Sequence, residues 1–298
     1  MSIATAAEQP CPARSSAAIA DYWALTKPEI NFLIAIVTFA GFCLGLPAEL
    51  HGFPFLLLIN TLLGTLLVSS GASALNQFIE RRFDARMRRT ARRPLAAGKL
   101  EPASALRFGL LLSVTGGIYL AVAVNVFAGL LAAVTLLTYL VLYTPLKRRT
   151  PWCTVAGAFP GAMPPLIGWA AASGSLGVEA WMLYLILFFW QFPHFMAIAW
   201  MYRDDYARAG YLVLPRGQHS AQFMSWQAIV PSLALIPVSL IAGAGPVYRV
   251  LACIATAAYL YYSGRLALER SNLAAKRLLL VSILFAPLEF CLIMFDKL

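Results

Sequence analysis

The sequence has 298 residues, of which 60% are hydrophobic and 12% are charged, and its formal net charge is +10. Soluble domains contain about 25% charged residues, so this composition excludes an ordinary soluble protein and indicates an integral membrane protein. The positive charge does not point to nucleic acid, because the basic residues are concentrated in alternate loops between apolar segments.

The apolar segments predict nine membrane-spanning helices, because each is long enough to cross about 30 Å of hydrocarbon. The predicted spans lie near 30–47, 53–79, 104–124, 126–145, 152–173, 179–201, 223–243, 247–264 and 276–295. Under the positive-inside rule, the basic loops place the N-terminus in the cytoplasm and the C-terminus outside. We therefore predict an all-α membrane protein with nine transmembrane helices around a central cavity, located in a bacterial plasma (inner) membrane.

The chain is predicted to form a single intramembrane domain over residues 28–298, because no Gly-, Ser- or Pro-rich linker separates the spans. Residues 1–27 are predicted to form a short cytoplasmic tail, without the apolar core of a signal peptide. The five cysteines show no paired spacing, so neither a disulfide framework nor a zinc site is predicted.

A first polar cluster lies where span two runs into a basic loop. Asn76, Glu80 and Asp84 are four residues apart, and each such step advances a helix by about 40° beyond a full turn and about 6 Å along its axis. These side chains therefore share one face. Carboxylate and amide oxygens suit Mg²⁺, and the eight Lys and Arg residues between Arg81 and Lys99 are suited to a diphosphate. The alternative is a helix end whose acids pair with nearby arginines among lipid headgroups.

A second polar cluster lies at the end of span six. If one helix continues through this region, His194 and Asp205 share a face about 16 Å apart along the axis, with Tyr202 on the same stripe. Asp204 points about 100° away, as a surface acid would. A histidine inside a span is a candidate functional group, although a satisfied packing histidine is the alternative.

Two cytoplasmic loops, near 80–103 and 202–222, resemble each other. Each follows a long apolar helix, opens with acids among arginines and continues to a Pro and a Gly. This pattern suggests a weak internal repeat whose two half-sites face one cavity. In span five, between these loops, Pro160, Pro164 and Pro165 predict a kinked or broken helix.

At these segments the sequence resembles the protohaem IX farnesyltransferases, or haem O synthases, a branch of the UbiA-type superfamily of intramembrane prenyltransferases. The matching text is Leu25-Thr26-Lys27-Pro28, Asn76-x-x-x-Glu80-x-x-x-Asp84-x-x-Met87-x-Arg89-Thr90-x-x-Arg93-Pro94-Leu95, Gly161 to Trp169, Trp190-Gln191-Phe192-Pro193-His194-Phe195 and Asp205-Tyr206. Glu80 and the Gln191 to His194 element are more specific to the haem branch. Cys153 and Glu29 depart from the family pattern, so no role is assigned to them.

The resemblance implies transfer of a farnesyl group from farnesyl diphosphate to a vinyl group of haem B, which gives haem O and diphosphate. Mg²⁺ is the implied cofactor, and haem B is a substrate. The resemblance assigns catalysis and metal binding to Asn76, Glu80, Asp84 and Asp205. The candidate substrate-binding residues are Arg89, Arg93, Lys147, Arg148, His194, Tyr202 and Asp204. A haem A synthase or a terminal oxidase assembly is the partner class that this chemistry implies.

Two alternatives remain at this point. A prenyltransferase acting on an aromatic quinone precursor would use the same diphosphate chemistry, but Glu80 and the Gln191 to His194 element argue against it. A transporter or ion-binding protein could also place acids in two halves around a polar cavity. The near absence of ionisable residues at the opposite membrane face disfavours a continuous path. Glu289, inside span nine, has no role assigned by the sequence.

Overall fold

The computed structural model describes residues 14–47, 52–243 and 245–297. Thirteen α-helices and one π-helical segment make up this part of the chain, which contains no β-strand. They are α1 (Arg14–Leu25), α2 (Pro28–Leu44), α3 (Phe55–Asp84), α4 (Pro102–Ala123), α5 (Val126–Leu137), the π-helical segment Thr138–Tyr143, α6 (Thr144–Leu146), α7 (Cys153–Gly161), α8 (Pro164–Ser173), α9 (Val178–Met201), α10 (Arg203–Ala209), α11 (His219–Ala242), α12 (Pro246–Glu269) and α13 (Asn272–Lys297). The prediction of an all-α protein is confirmed.

Six of these helical stretches in the described ranges are long and apolar enough to cross a membrane. They are α3, α4, the stretch Val126–Leu146, α9, α11 and α13. A seventh span results if α1 and α2, which meet at an angle of 49°, are joined. The two remaining predicted spans coincide with the α7 and α8 pair and with α12. The predicted tail is helical from Arg14 onward, and residues 1–13, including Cys11, lie outside the described residues.

Local sequence signals set several helix boundaries. Proline occupies the first position of α2, α4, α8 and α12, where its missing N–H removes no helical hydrogen bond. At the start of α5, Asn125 accepts a hydrogen bond from the backbone N–H of Ala128 at 2.8 Å. The predicted break in span five is confirmed, since α7 ends at Gly161 and α8 begins at Pro164.

The N-terminal half is organised around the packing of α3 against α4. Close approach depends on glycine, because a Cβ at Gly71 would lie 2.2 Å from Ser113 Oγ and one at Gly64 would lie 2.6 Å from Leu120 Cγ. Small residues at these positions let the two helices approach closely.

Helix α9 lies at the centre of the C-terminal half and is mostly buried against α7, α11 and α13. Its tryptophan Trp190 donates a hydrogen bond from Nε1 to the carbonyl of Ser282 in α13 at 2.8 Å. The hydroxyl of Tyr259 in α12 donates to the carbonyl of Trp190 at 2.7 Å. These bonds fix α12 and α13 to the middle of α9.

Candidate active site

The first candidate cluster occupies the last turns of α3. Asn76, Glu80 and Asp84 are respectively 1%, 6% and 2% exposed, so the face that they share points into the protein. Their common helix and common face confirm the prediction from four-residue spacing. Charged side chains are seldom this buried unless they are paired, so the surrounding basic groups decide what the site can do.

Glu80 in α3 forms an ion pair with Lys147, which lies in a distant segment of the chain. Lys147, directly after α6, places its Nζ 3.0 Å from Oε1 and 3.1 Å from Oε2 of Glu80. Burial alone would lower the pKa of Lys147, but the neighbouring Glu80 carboxylate raises that pKa well above its usual value. Lys147 therefore carries a fixed positive charge in the pocket.

Asp84 is paired through only one of its oxygens. Arg93 donates from its NH1 group to Oδ2 of Asp84 at 2.8 Å, while Oδ1 is buried and has no hydrogen-bond partner among the described residues. The backbone carbonyl of Asp84 accepts a hydrogen bond from Thr90 Oγ1 at 2.9 Å, which holds the basic loop against the end of α3. An unpartnered buried carboxylate oxygen is a ready ligand for a hard cation.

Asn76 is oriented by two residues that the sequence analysis did not select. Lys27 Nζ donates to Asn76 Oδ1 at 3.4 Å, and Asn76 Nδ2 donates to Thr144 Oγ1 at 3.2 Å. Lys27 has a φ of 52°, in the left-handed region that a non-glycine residue seldom adopts. This strained backbone joins α1 to α2 and brings the ammonium group into the site. Lys27 belongs to the Leu25 to Pro28 motif that carries part of the family resemblance, but sequence spacing gave no reason to expect a contact between Lys27 and Asn76.

The two loops near 80–103 and 202–222 meet at this site. The backbone N–H of Arg89 donates to Oδ2 of Asp205 at 3.2 Å, and Arg208 pairs with Oδ1 of the same carboxylate. Arg208 Nε also donates to the backbone carbonyl of Arg86 at 3.2 Å. Asp205 is 8% exposed. The structure therefore brings Asp205 against the loop that follows α3.

Aromatic side chains line the junction between the loops. The guanidinium carbon of Arg89 lies 4.7 Å from the ring centre of Tyr202 and 5.4 Å from that of Tyr206. Burial, followed by the charge of Glu80, raises the pKa of the Tyr211 hydroxyl above its usual range. Tyr206 and Tyr211 also line a groove of about 470 Å³ at whose rim Asp204 is exposed. Neither tyrosine was selected from the sequence, although Tyr206 is part of a quoted motif.

Arg148 and His194 lie apart from the three-residue face. Arg148 is exposed and its guanidinium carbon lies 4.7 Å from the ring centre of Phe83. The His194 side chain contacts Trp190 and Ser282. The shared face predicted for His194 and Asp205 required one continuous helix, and this condition is not met, because α9 ends at Met201 and α10 starts at Arg203. The 16 Å estimate therefore does not apply.

Across the described ranges, no group of three or more His, Cys, Asp and Glu side chains is arranged to hold a metal ion. Each carboxylate of the cluster is held by a basic group instead, Glu80 by Lys147, Asp84 by Arg93 and Asp205 by Arg208. The donor set still suits Mg²⁺, since this ion takes few protein ligands and completes its shell with water and substrate phosphate. The unpartnered Oδ1 of Asp84 provides one such ligand.

The described part of the chain is a helical bundle whose buried acids are paired with basic side chains, a setting suited to an anionic diphosphate, and comparison with known proteins identifies the class as an intramembrane prenyltransferase. Residues 34–286 match the UbiA prenyltransferase family. The chain belongs to this family. Its sequence relatives include the protoheme IX farnesyltransferase of Solibacter usitatus, 46% identical over 287 residues that cover 93% of this chain and 98% of the relative. The protein of the same name from Koribacter versatilis is 40% identical and covers 93% of each chain.

Solved structures share the fold. A digeranylgeranylglyceryl phosphate synthase superposes with a TM-score of 0.74 at 16% identity, covering 94% of this chain and 99% of the other. A UbiA homologue from Archaeoglobus fulgidus bound to GPP and Mg²⁺ superposes with a TM-score of 0.63 at 17% identity, covering 92% and 99%. These likenesses establish the UbiA fold.

Proposed function

We propose that this protein transfers the farnesyl group of farnesyl diphosphate to a vinyl group of haem B, producing haem O and diphosphate. The observation that carries the proposal is the 46% identity to a protoheme IX farnesyltransferase over nearly the whole length of both chains. The buried row of Asn76, Glu80 and Asp84, surrounded by lysine and arginine, supplies a chemically suitable site.

The reaction requires charge stabilisation at both ends of the breaking bond. The allylic C1–O bond of farnesyl diphosphate breaks, and its electron pair leaves with the diphosphate. The vinyl group then forms a carbon–carbon bond to C1, and water adds to the resulting cation with release of a proton. Positive groups fixed near the diphosphate stabilise the charge that develops on it. In this proposal Arg89, Arg93, Lys147 and Arg148 contact its oxygens.

Asn76, Glu80, Asp84 and Asp205 are the residues that we assign to Mg²⁺ and to catalysis. When bound with the diphosphate, Mg²⁺ neutralises part of the leaving group's charge. The A. fulgidus homologue was solved with GPP and Mg²⁺, which supports a divalent metal in this fold. In this chain an anionic diphosphate would offer Lys147 and Arg93 a second acceptor, and carboxylate oxygens of Glu80 and Asp84 would then be available to hold Mg²⁺.

The haem is assigned to the remaining candidate residues. His194 lies in α9, Tyr202 lies between α9 and α10, and Asp204 lies in the first turn of α10. In this proposal they border the porphyrin, while the C15 chain extends from the pocket into the apolar space between the helices. The water-excluding interior protects the developing cation from early capture.

We also infer nine spans within one domain over residues 28–298. In this arrangement residues 1–27 and the acidic motifs lie in the cytoplasm, and the C-terminus lies outside a bacterial inner membrane. The alternation of basic loops supports this topology. Membrane-impermeant labelling of single cysteines introduced at residue 88 and near the C-terminus tests it. Labelling of both positions from the same side would contradict the inference.

Expression in a host that lacks its own haem O synthase tests the activity. Mass spectrometry of extracted pigments should reveal a haem that carries an added C15 chain and a hydroxyl. Unchanged haem B with altered quinones would replace the proposal with the quinone-precursor alternative. No change in either class would contradict prenyl transfer and favour the ion-binding alternative. A haem A synthase or terminal oxidase assembly is the partner class expected to use the product.

A further inference from the structure

Helices α9 and α13 meet at a hydrogen-bonded histidine that the diphosphate chemistry does not use. His194 Nδ1 lies 2.7 Å from Ser282 Oγ, and the Ser282 hydroxyl lies 2.6 Å from the backbone carbonyl of Leu279. The indole of Trp190 stacks on the imidazole with ring centres 4.9 Å apart and an angle of 27°. Trp190 is itself held by Ser282, whose carbonyl accepts its Nε1–H at 2.8 Å.

This network assigns the tautomer of His194. A serine hydroxyl has one hydrogen, and the carbonyl of Leu279 can only accept it. When the hydroxyl donates to Leu279, its oxygen must accept at the other contact, so the proton between the two side chains lies on His194 Nδ1. The neutral imidazole then carries its lone pair on Nε2. Among the described residues, Nε2 has no hydrogen-bond partner.

His194 as a whole is less buried than the two residues that hold its ring. Ser282 is fully buried and Trp190 is 6% exposed, whereas His194 is partly exposed. A histidine that serves only in packing has both of its buried ring nitrogens hydrogen-bonded in most proteins. Here one nitrogen is fixed by a buried hydroxyl and the other faces away from that bond with a free lone pair. This is the arrangement of a metal-ligating histidine with its outer partner in place.

We propose that Ser282 is a positioning residue that holds His194 in the Nδ1–H tautomer, so that Nε2 ligates the iron of the haem substrate. The inference rests on the proposed function, because haem B supplies the iron. Imidazole nitrogen is a common axial ligand of haem iron. Ligation would seat the porphyrin against α9, and the Trp190 stack would limit rotation of the ring.

Removal of the hydroxyl changes the tautomer balance. In Ser282→Ala, an Nδ1–H would be buried without an acceptor, which is unfavourable. The imidazole relieves this by moving its proton to Nε2 or by turning, and either change weakens the bond to iron. Loss of an outer partner typically reduces metal affinity by about 10–100-fold, so the dissociation constant for haem B should rise about tenfold or more.

The test is titration of the purified full-length protein with haem B, without farnesyl diphosphate. Wild-type protein should give an iron–histidine stretching band by resonance Raman spectroscopy of the ferrous complex. His194→Ala should lose the band and regain it when imidazole is added. Ser282→Ala should shift the band and weaken binding, while Ser282→Thr, which keeps the hydroxyl, should restore both. Ser113→Ala is the matched control, because Ser113 is also buried and donates to a carbonyl of its own helix.

An unchanged spectrum in His194→Ala would overturn iron ligation, and unchanged binding and band position in Ser282→Ala would overturn the positioning role. Gel filtration of each variant separates these results from misfolding, and Ser282→Cys provides a second small substitution if Ser282→Thr does not fold. The proposed function has a separate readout. Farnesyl transfer without a His194-dependent spectrum defeats this inference alone, whereas His194-dependent haem binding without farnesyl transfer defeats the proposed function alone.

Discussion

Lys147 Nζ lies within 3.1 Å of both carboxylate oxygens of Glu80, which is 67 residues earlier in the sequence. The pair joins the end of α6 to α3 at the centre of the candidate site. Because both groups are largely buried, the pair has two separable roles. It satisfies two charges inside the protein, and it fixes a cation where the substrate diphosphate is expected.

Lys147→Met should reduce both stability and turnover. Removing one partner of a buried ion pair leaves an uncompensated charge and costs about 3–5 kcal/mol. The double variant Glu80→Gln with Lys147→Met should recover much of the lost thermal stability, because no charge is left unpaired, but should remain inactive. Thermal unfolding in detergent and a farnesyl-transfer assay measure the two effects. Recovery of activity in the double variant would remove this pair from the reaction.

Asp84→Asn should lower turnover by roughly 10²–10³-fold, the range seen when one group that stabilises transition-state charge is lost. The folded state should persist, because an amide can still accept the hydrogen bond from Arg93. Glu101→Gln is the control, since Glu101 is an exposed carboxylate at the start of α4. Haem O formation per unit of membrane protein gives the comparison. Normal turnover in Asp84→Asn would exclude Asp84 from the site.

Chelation should stop the reaction. Excess EDTA is expected to abolish turnover, and added Mg²⁺ should restore it, because the buried carboxylates and the leaving diphosphate share the cation. Asp84→Asn should require about tenfold more Mg²⁺ for half-maximal residual activity, since the unpartnered Oδ1 is replaced or reoriented. Turnover that persists in EDTA would argue against a dissociable metal.

The stability that Lys147 contributes should depend on alkaline pH. Its folded-state pKa is raised, so the contribution is complete below the unfolded value of about 10.4 and is lost as the pH rises through the folded value. The difference in melting temperature between wild type and the Glu80→Gln, Lys147→Met double variant should therefore decrease as the pH rises above about 10. An increase in this difference over the same alkaline range would contradict the raised pKa.

Gly161→Ala should destabilise the break between α7 and α8. An added Cβ would lie 2.0 Å from Gln191 Oε1, and displacing this side chain would break its 3.2 Å hydrogen bond to the carbonyl of Ala158. Overpacking of this kind typically costs about 1–3 kcal/mol. Gly264→Ala in α12 is the matched control, because nothing lies within 4 Å of its added Cβ. Equal melting temperatures for the two variants would count against the tight contact.

Local spacing was sufficient to predict one part of the site. Asn76, Glu80 and Asp84 lie within three turns of one helix, so helical geometry alone places them on one face. The ion pair between Glu80 and Lys147 could not be predicted from the sequence, because it depends on how two segments that are 67 residues apart pack together. The family resemblance predicted Lys147 as a diphosphate contact, and only the structure shows that Lys147 pairs with Glu80.

The C-terminal part of the site was predicted less well for a physical reason. No glycine or proline lies between His194 and Asp205 to signal the end of α9, so a continuous helix was the natural expectation. The helix is interrupted at Tyr202, and the Asp205 carboxylate accepts a hydrogen bond from the backbone N–H of Arg89. Glu289, unassigned from sequence, is fully buried and accepts a hydrogen bond from Tyr248 at 2.9 Å, which ties α13 to α12.

The π-helical segment Thr138–Tyr143 sets the direction in which the following residues project. Its wider winding ends where the hydroxyl of Thr144 also bonds the carbonyl of Tyr139, five residues earlier, at 2.9 Å. Shortening this segment by one residue to a regular helix would swing the chain beyond it by about 100°. The ammonium group of Lys147, which now pairs with Glu80, would then point in a different direction around the helix axis. The length of the π-helical segment therefore determines the geometry of the site as much as the charged residues do.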